Sequence, residues 1–402
     1  MYIYKAAVIG AGAMGAGIAQ VLTYAGVPVL LRDTSADAVD RGIATIQKIY
    51  QGRVEKGKIS QDDVAAKMAL VTGVTDDMGF SDVDIVIEAI FEHLSAKQEL
   101  LRALCKICPE SMIFASNTSS LLISAIASAS PRPDRVIGMH FFNPAPVMKL
   151  VEVIPGLETS EEVISDVMAF TESVRKIPIR VEECAGFLVN RLLMPYLNEA
   201  ALVLQESAAT MEEIDAAMVA FGLPMGPFTL MDMIGIDVCF HVGEILHDAY
   251  GPRATPAALI RRLYEEKRYG VKNGAGFYTY DGAPATVLPR LIADIQKITG
   301  QAATPFSEAR LILPMINEAA LALGEGIAAR TDIDTAMIAG IGFPMTLRGP
   351  LHYADSLGLD HILAELKTLT KTLGPRFWPA PLIVRMVAAG RLGQKTQGGF
   401  FK

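Results

Sequence analysis

His140 and Glu152 stand 12 residues apart in GMHFFNPAPVMKLVEV, and each is out of place among its neighbours. The histidine is one of only six in 402 residues, set between a small apolar run and two phenylalanines. Glu152 interrupts the apolar strand pattern LVEVI, where an unpaired carboxylate is costly to bury. NPAPVMK between them reads as a loop joining neighbouring elements, so the two side chains can meet. A carboxylate on one ring nitrogen would hold the imidazole in one tautomer and stabilise its protonated form. Such a ring can take a proton from a hydroxyl, and positioned acid–base groups contribute roughly 10²–10⁴-fold in rate. The bland alternative is an incidental buried ion pair. Which reading holds depends on whether a reactant site lies nearby.

The N-terminus supplies one. The buried-strand run KAAVI at 5–9 leads at once into GAGAMG, with glycines at 10, 12 and 15, and then into the helix-spaced AGIAQVLTYAG. In this G-x-G-x-x-G pattern Gly10 permits a tight turn, Gly12 lets the backbone approach a pyrophosphate, and Gly15 lets the helix pack on the strand. The helix N-terminus then offers unpaired N–H groups to the phosphates. Alone the motif is weak, but the next strand, VPVLLRD, ends in Asp33, 18 residues after Gly15. A carboxylate there accepts from both ribose hydroxyls and repels a 2′-phosphate, so NAD is expected over NADP. Arg32 precedes it on the same strand and should point to the opposite face. A hydride acceptor beside a base for the hydroxyl proton is the equipment of an alcohol dehydrogenation.

The elements that must position these groups follow in order. Strand-like runs recur as DIVIEAI at 84–90, SMIFASN at 111–117, RVIGMHFF at 135–142 and KLVEVI at 149–154. Alternation with helical segments predicts an α/β Rossmann-type domain, in which ligands gather beyond the carboxyl ends of the strands. The polar residues at those ends are Asp33, Glu92 with Lys97, the cluster SNTSS at 116–120, and His140 with Asn143. Glu92 and Lys97 taken singly read as solvated charges at a helix start; a shared rim favours the cleft.

Composition narrows the alternatives. A net charge of −8 with no block of like charge argues against nucleic-acid binding or a polybasic membrane patch. Four cysteines point to a reduced, cytoplasmic protein. Cys105 and Cys108 form a lone CxxC in AKQELLRALCKICPE and read as two helix-face cysteines, not a zinc or redox motif, so no metal is expected. Residues 6–31 are apolar but broken by glycines, and neither a signal peptide nor a membrane span is expected.

The second half is a mostly helical repeat. RLLMPYLNEA from Arg191 and RLILPMINEA from Arg310 agree at six of ten positions. Further on Asp215 answers Asp334, GLPMGP answers GFPMTLRGP, MDMIGID answers YADSLGLD, and GVKNGAGFYTY answers GQKTQGGFFK. A period of about 100 residues suits a domain better than a solenoid unit. The expected organisation is a dinucleotide-binding domain over 1–183 and two all-α copies over 184–281 and 305–402, joined by a less regular stretch. Asn190 in the first copy has Ala309 opposite it in the second, so one active site per chain is expected, with the second copy as packing partner.

GAGAMGAGIAQ, VIEAIFEHLSAKQEL, SNTSSL, GMHFFNPAPVMKLVEV and AGFLVNRLL together resemble the L-3-hydroxyacyl-CoA dehydrogenases of fatty-acid β-oxidation, over essentially the whole chain. With its duplicated helical part, the chain looks like the dehydrogenase portion of the multifunctional β-oxidation proteins, without the hydratase domain that precedes it there. The resemblance implies NAD-dependent, reversible oxidation of an L-3-hydroxyacyl-CoA to the 3-oxoacyl-CoA. By the same resemblance His140 is the general base and Glu152 the acid that orients it, while Ser119 and Asn190 meet the substrate oxygen. Gly10, Gly12, Met14, Gly15, Asp33, Glu92, Lys97, Ser119, Asn143 and Lys272 match cofactor positions, and Lys56 a lysine on the CoA portion. A serine expected a turn before Lys56 is Ile49 here, a departure that leaves the CoA contacts less defined. The resemblance also implies either a monomer with an internal pseudo-dimer or a homo-oligomer. Two rivals stay open: a dehydrogenase of free hydroxy acids on the same architecture, and a non-catalytic NAD-binding relative.

Overall fold

The computed structural model describes residues 2–280, 286–299 and 305–401. The chain divides into two compact units, Met1–Phe187 and Leu188–Lys402.

The first unit is built on eight strands: β1 Ala6–Ile9, β2 Val29–Arg32, β3 Val71–Val74, β4 Ile85–Glu88, β5 Ile113–Ser116, β6 Val136–Phe141, β7 Leu150–Pro155 and β8 Ile177–Arg180. They form one sheet in the order β3-β2-β1-β4-β5-β6-β7-β8. All neighbouring pairs are parallel except β6 with β7. Six helices accompany them: α1 Ala13–Tyr24, α2 Ala36–Glu55, α3 Gln61–Met68, α4 Leu94–Leu104, α5 Ile123–Ala127 and α6 Glu161–Ser173. Central strands such as AAVI and IVIE are buried at every position, which is why they read as continuous apolar runs and not as an alternation. The chain order reverses between β1 and β4, the switch point at which such sheets take their ligands.

Two strands escape the sequence pattern. VTGV of β3 lies at one edge and is half-exposed, and IPIR of β8, at the other, carries a proline. Edge strands tolerate glycine, proline and weak apolar patterning because one side makes no ladder. The CxxC also departs from expectation: Cys105 caps α4 and Cys108 lies beyond it, so neither sits on a helix face. Burial, with the neighbouring Cys105 thiol adding to it, pushes the Cys108 thiol up to about 11.

The second unit is helical among its described residues: α7 Val189–Gln205, α8 Met211–Phe221, α9 Pro227–Ile234, α10 Ile236–Tyr250, α11 Ala258–Glu265, α12 Val287–Thr299, α13 Glu308–Gly324, α14 Arg330–Ile341, α15 Pro350–Leu357, α16 Leu359–Leu373 and α17 Pro381–Ala388. The joining stretch is therefore more regular than expected, because α12 buries Leu288, Leu291 and Ile295 along one helical face. Residues 281–285 and 300–304 of that stretch lie outside the described residues.

The repeated residues do the same work twice. Asp215 accepts from the N–H groups of Phe228 and Thr229 at the start of α9, and Asp334 from those of Leu351 and His352 at the start of α15. Asp232 accepts from Phe277 and Tyr278 N–H, and Asp355 from Phe400 and Phe401 N–H. The helices α7 and α13 exchange buried ion pairs, Arg191 to Glu318 at 2.8 Å and Arg310 to Glu199 at 2.7 Å. Among the described residues no helix is long and apolar enough to cross a membrane.

Candidate active site

The dinucleotide end of the first unit is shaped by absent side chains. Gly10 has φ +103°, and a Cβ on Gly15 would stand 1.7 Å from the Gly10 carbonyl oxygen, so α1 can press onto the turn only with glycine at both positions. A Cβ on Gly12 would meet nothing within 4 Å. Gly12 caps α1 without a side-chain bond, leaving the first helical N–H groups beside open space, and Met14 is half-buried in the same first turn. Asp33, just past β2, accepts from Ala11 N–H at 2.7 Å through Oδ2 and from Thr34 N–H at 2.7 Å through Oδ1. A carboxylate has about four acceptor sites, so capacity for a ribose hydroxyl remains. Arg32 is turned elsewhere: its guanidinium pairs with Asp77 at 3.0 Å and lies over the Phe80 ring. The cradle at Gly12, the uncapped helix start and the rim carboxylate fit a dinucleotide without a 2′-phosphate.

Beside it, β4 and β5 end in a polar network. Lys97 is 1% exposed, and its ammonium is shared between Glu88 at 2.7 Å and Glu92 at 3.3 Å. Glu88, fully buried, also accepts from Ser116 Oγ at 2.6 Å and from Ile90 N–H at 2.7 Å. Glu92 accepts from Thr118 Oγ1 at 2.6 Å, from the N–H groups of Ser119 and Ser120, and from Ser120 Oγ. Burial opposes the Glu92 charge, but Lys97 and the Thr118, Ser119 and Ser120 donors outweigh it and hold the carboxyl below the usual range. Glu92 thus fixes the 118–120 turn and with it Ser119, whose backbone bond leaves the hydroxyl at an exposed position. Lys97 is interior and not a solvated helix-start charge. Glu88 was missed in the sequence, although a lone acid ending an apolar strand is the signal that Glu152 gives.

His140 and Glu152 face one another. The antiparallel register of β6 and β7 places them directly opposite, and His140 Nδ1 lies 2.7 Å from Glu152 Oε2. Both are buried, and the imidazole is flanked by the rings of Phe142 and Phe187. Cross-strand partners share a sheet face, so the register alone brings the pair together. The β6–β7 loop carries Asn143, exposed just past the strand, and a cis Asn143–Pro144 bond. This loop is clamped by buried Lys176, whose ammonium donates to the carbonyls of Ala145 at 2.5 Å and Met148 at 2.6 Å. Burial, with repulsion from Arg53 and Lys149, pushes that ammonium down to about 8. Lys176 was also missed, because no local pattern distinguishes it from a surface lysine.

The remaining expected residues fall at a helix end of the first unit and in the second unit. Lys56 is the exposed C-cap of α2, with Ile49 half-buried earlier in the same helix. Asn190 lies in the first turn of α7, and Lys272 pairs with Asp237; both belong to the second unit.

A family model described as 3-hydroxyacyl-CoA dehydrogenase, NAD binding domain, matches residues 5–184. Its companion, the C-terminal domain of the same family, matches 186–280 and 306–402. The fatty acid oxidation complex subunit alpha of Shewanella amazonensis is 41% identical over 396 residues, covering 97% of this chain and 56% of that protein. That of Vibrio cholerae is 38% identical over 387 residues, covering 95% and 54%. The chain spans about half the length of these curated relatives. Among solved structures, 3-hydroxybutyryl-CoA dehydrogenase from Escherichia coli K12 superposes with a TM-score of 0.88 at 33% identity, covering 97% of this chain and 99% of that one. The (S)-3-hydroxybutyryl-CoA dehydrogenase of Ralstonia eutropha gives 0.68 at 41% identity, covering 69% and 99%. The chain belongs to the 3-hydroxyacyl-CoA dehydrogenase family.

Proposed function

We propose that the protein catalyses the reversible, NAD-dependent oxidation of an L-3-hydroxyacyl-CoA to the 3-oxoacyl-CoA. The observation that carries this reading is the His140–Glu152 pair, held in register across β6 and β7 at 2.7 Å within the family's NAD-binding domain. NAD, when bound, supplies the hydride acceptor. Glu152 holds Nδ1–H, which leaves Nε2 of His140 as the acceptor for the hydroxyl proton. As the proton arrives the ring becomes cationic, and the buried carboxylate opposite compensates that charge. In the reverse direction the protonated ring and the Ser119 hydroxyl polarise the ketone. Ser119 is suited to this because Glu92 fixes its turn.

The cofactor is assigned to Gly10, Gly12, Met14, Gly15, Asp33 and Asn143, with Glu92 and Lys97 shaping the wall beside them. Asn190 is assigned to the substrate oxygen, Lys272 to the cofactor and Lys56 to the CoA portion. The stretches 184–281 and 305–402 are two copies of one helical domain, a reading supported by their recurring aspartate caps and reciprocal arginine–glutamate pairs. Four free cysteines suit the reducing cytoplasm. The test is NADH consumption with acetoacetyl-CoA and NADH formation with free 3-hydroxy acids, measured side by side. Turnover confined to the thioester supports the proposal; turnover confined to free acids overturns it.

A further inference from the structure

We propose that a hollow in the second unit, where Arg330, Arg348 and His352 converge, binds a small oxyanion, the phosphate or carboxylate end of a metabolite. The hollow measures about 430 Å³ and is also lined by Asp355, Gln394 and Phe401. Arg348 is exposed and, among the described residues, has no ion pair or side-chain hydrogen bond. Among the described residues Arg330 donates to the Phe400 carbonyl, at 2.6 Å, with no ion pair, and its guanidinium lies over the Phe401 ring. The nearby acids are occupied. Asp355 accepts from Phe400 and Phe401 N–H, and Asp334 from Leu351 N–H and from the backbone and ring of His352. With Nδ1 of His352 on Asp334 at 2.6 Å and its ring stacked on Phe401, Nε2 is the ring atom left for a ligand. Two guanidinium forks that have no carboxylate partner among the described residues, beside a fixed imidazole, match the geometry of phosphate and carboxylate recognition.

The repeat shows that the hollow is not a by-product of the helical fold. Met211 and Thr229 occupy the positions of Arg330 and His352 in the first copy, and Arg348 arrives with the three residues by which GFPMTLRGP exceeds GLPMGP. Where Phe401 has no hydroxyl, Tyr278 closes over Asp215 at 3.0 Å. The second copy therefore carries two guanidinium groups and an imidazole where the first has Met211, Thr229 and no counterpart of Arg348.

The test is isothermal titration of the full chain, held in saturating NADH so that the glycine turn is filled, with inorganic phosphate and separately with acetate. Arg348→Gln and Arg330→Gln are titrated alongside, with NADH turnover and thermal melting as controls. The expected result is saturable binding of at least one anion, weakened about tenfold or more in each variant while turnover and melting hold. Should Arg330→Gln fail to fold, the exposed Arg348→Gln decides alone. No saturation by either anion below about 10 mM, or equal affinity in parent and Arg348→Gln, would overturn the site.

Discussion

Replacing Glu152 by glutamine keeps the shape opposite His140 and removes only the charge. The two groups are buried and 2.7 Å apart, so at an effective dielectric near 20 a full charge on the ring gains ~6 kcal/mol from the carboxylate. That gain appears only as the proton reaches the ring, so it lowers the barrier and not the substrate affinity. The amide oxygen still accepts from Nδ1 and recovers part of it, which leaves a loss of about 3–5 kcal/mol, or roughly 10²–10⁴-fold in kcat. NAD affinity should hold within about twofold, because the cofactor groups are separate from the pair. The assay is NADH absorbance under substrate saturation, with NAD titration and thermal melting to show that the variant is folded. A folded, NAD-binding Glu152→Gln enzyme whose kcat stays within about threefold of the parent would show that the carboxylate charge does not assist proton transfer to the ring.

Other perturbations separate the supporting parts. Gly12→Ala should melt like the parent yet bind NAD at least about tenfold more weakly, since its Cβ enters open space, whereas Gly15→Ala should lower the melting temperature outright; equal effects would contradict the geometry. Lys176→Met strips two loop carbonyls of their donor and should cost about 2–4 kcal/mol in denaturant unfolding, with weaker NAD binding through Asn143; a loss under about 0.5 kcal/mol would count against the clamp. Because the Glu92 carboxyl lies below its ordinary 4.5, its contribution to stability is present above that pH and is lost as pH falls through the lowered value. The melting difference between parent and Glu92→Gln should therefore shrink on acidification from about pH 5; a constant difference would contradict the network.

Much of this was legible because strong local constraints repeat the same message. The glycine spacing at 10, 12 and 15 has one steric explanation, and Glu152 inside LVEVI has few partners to choose from. The internal repeat was readable because aspartates 215, 232, 334 and 355 each satisfy two backbone N–H groups and cannot drift. What was not legible depends on distant partners or on edges. Strands β3 and β8 lack one neighbour and hence a strong pattern. Lys176 and Glu88 differ from ordinary charged residues only in what the fold closes around them. Helix α12 was hidden behind the proline and glycine of DGAPATVLPR, which punctuate the chain before the helical face begins.

The imidazole of His140 as the acceptor of the alcohol proton is the central element of the proposed reaction. Single-turnover NADH formation from an L-3-hydroxyacyl-CoA by His140→Gln, with NAD binding measured on the same sample, tests this directly. Near-parental NAD binding with most of the turnover gone is the expected result; near-parental turnover in that variant would contradict the role of His140 as base.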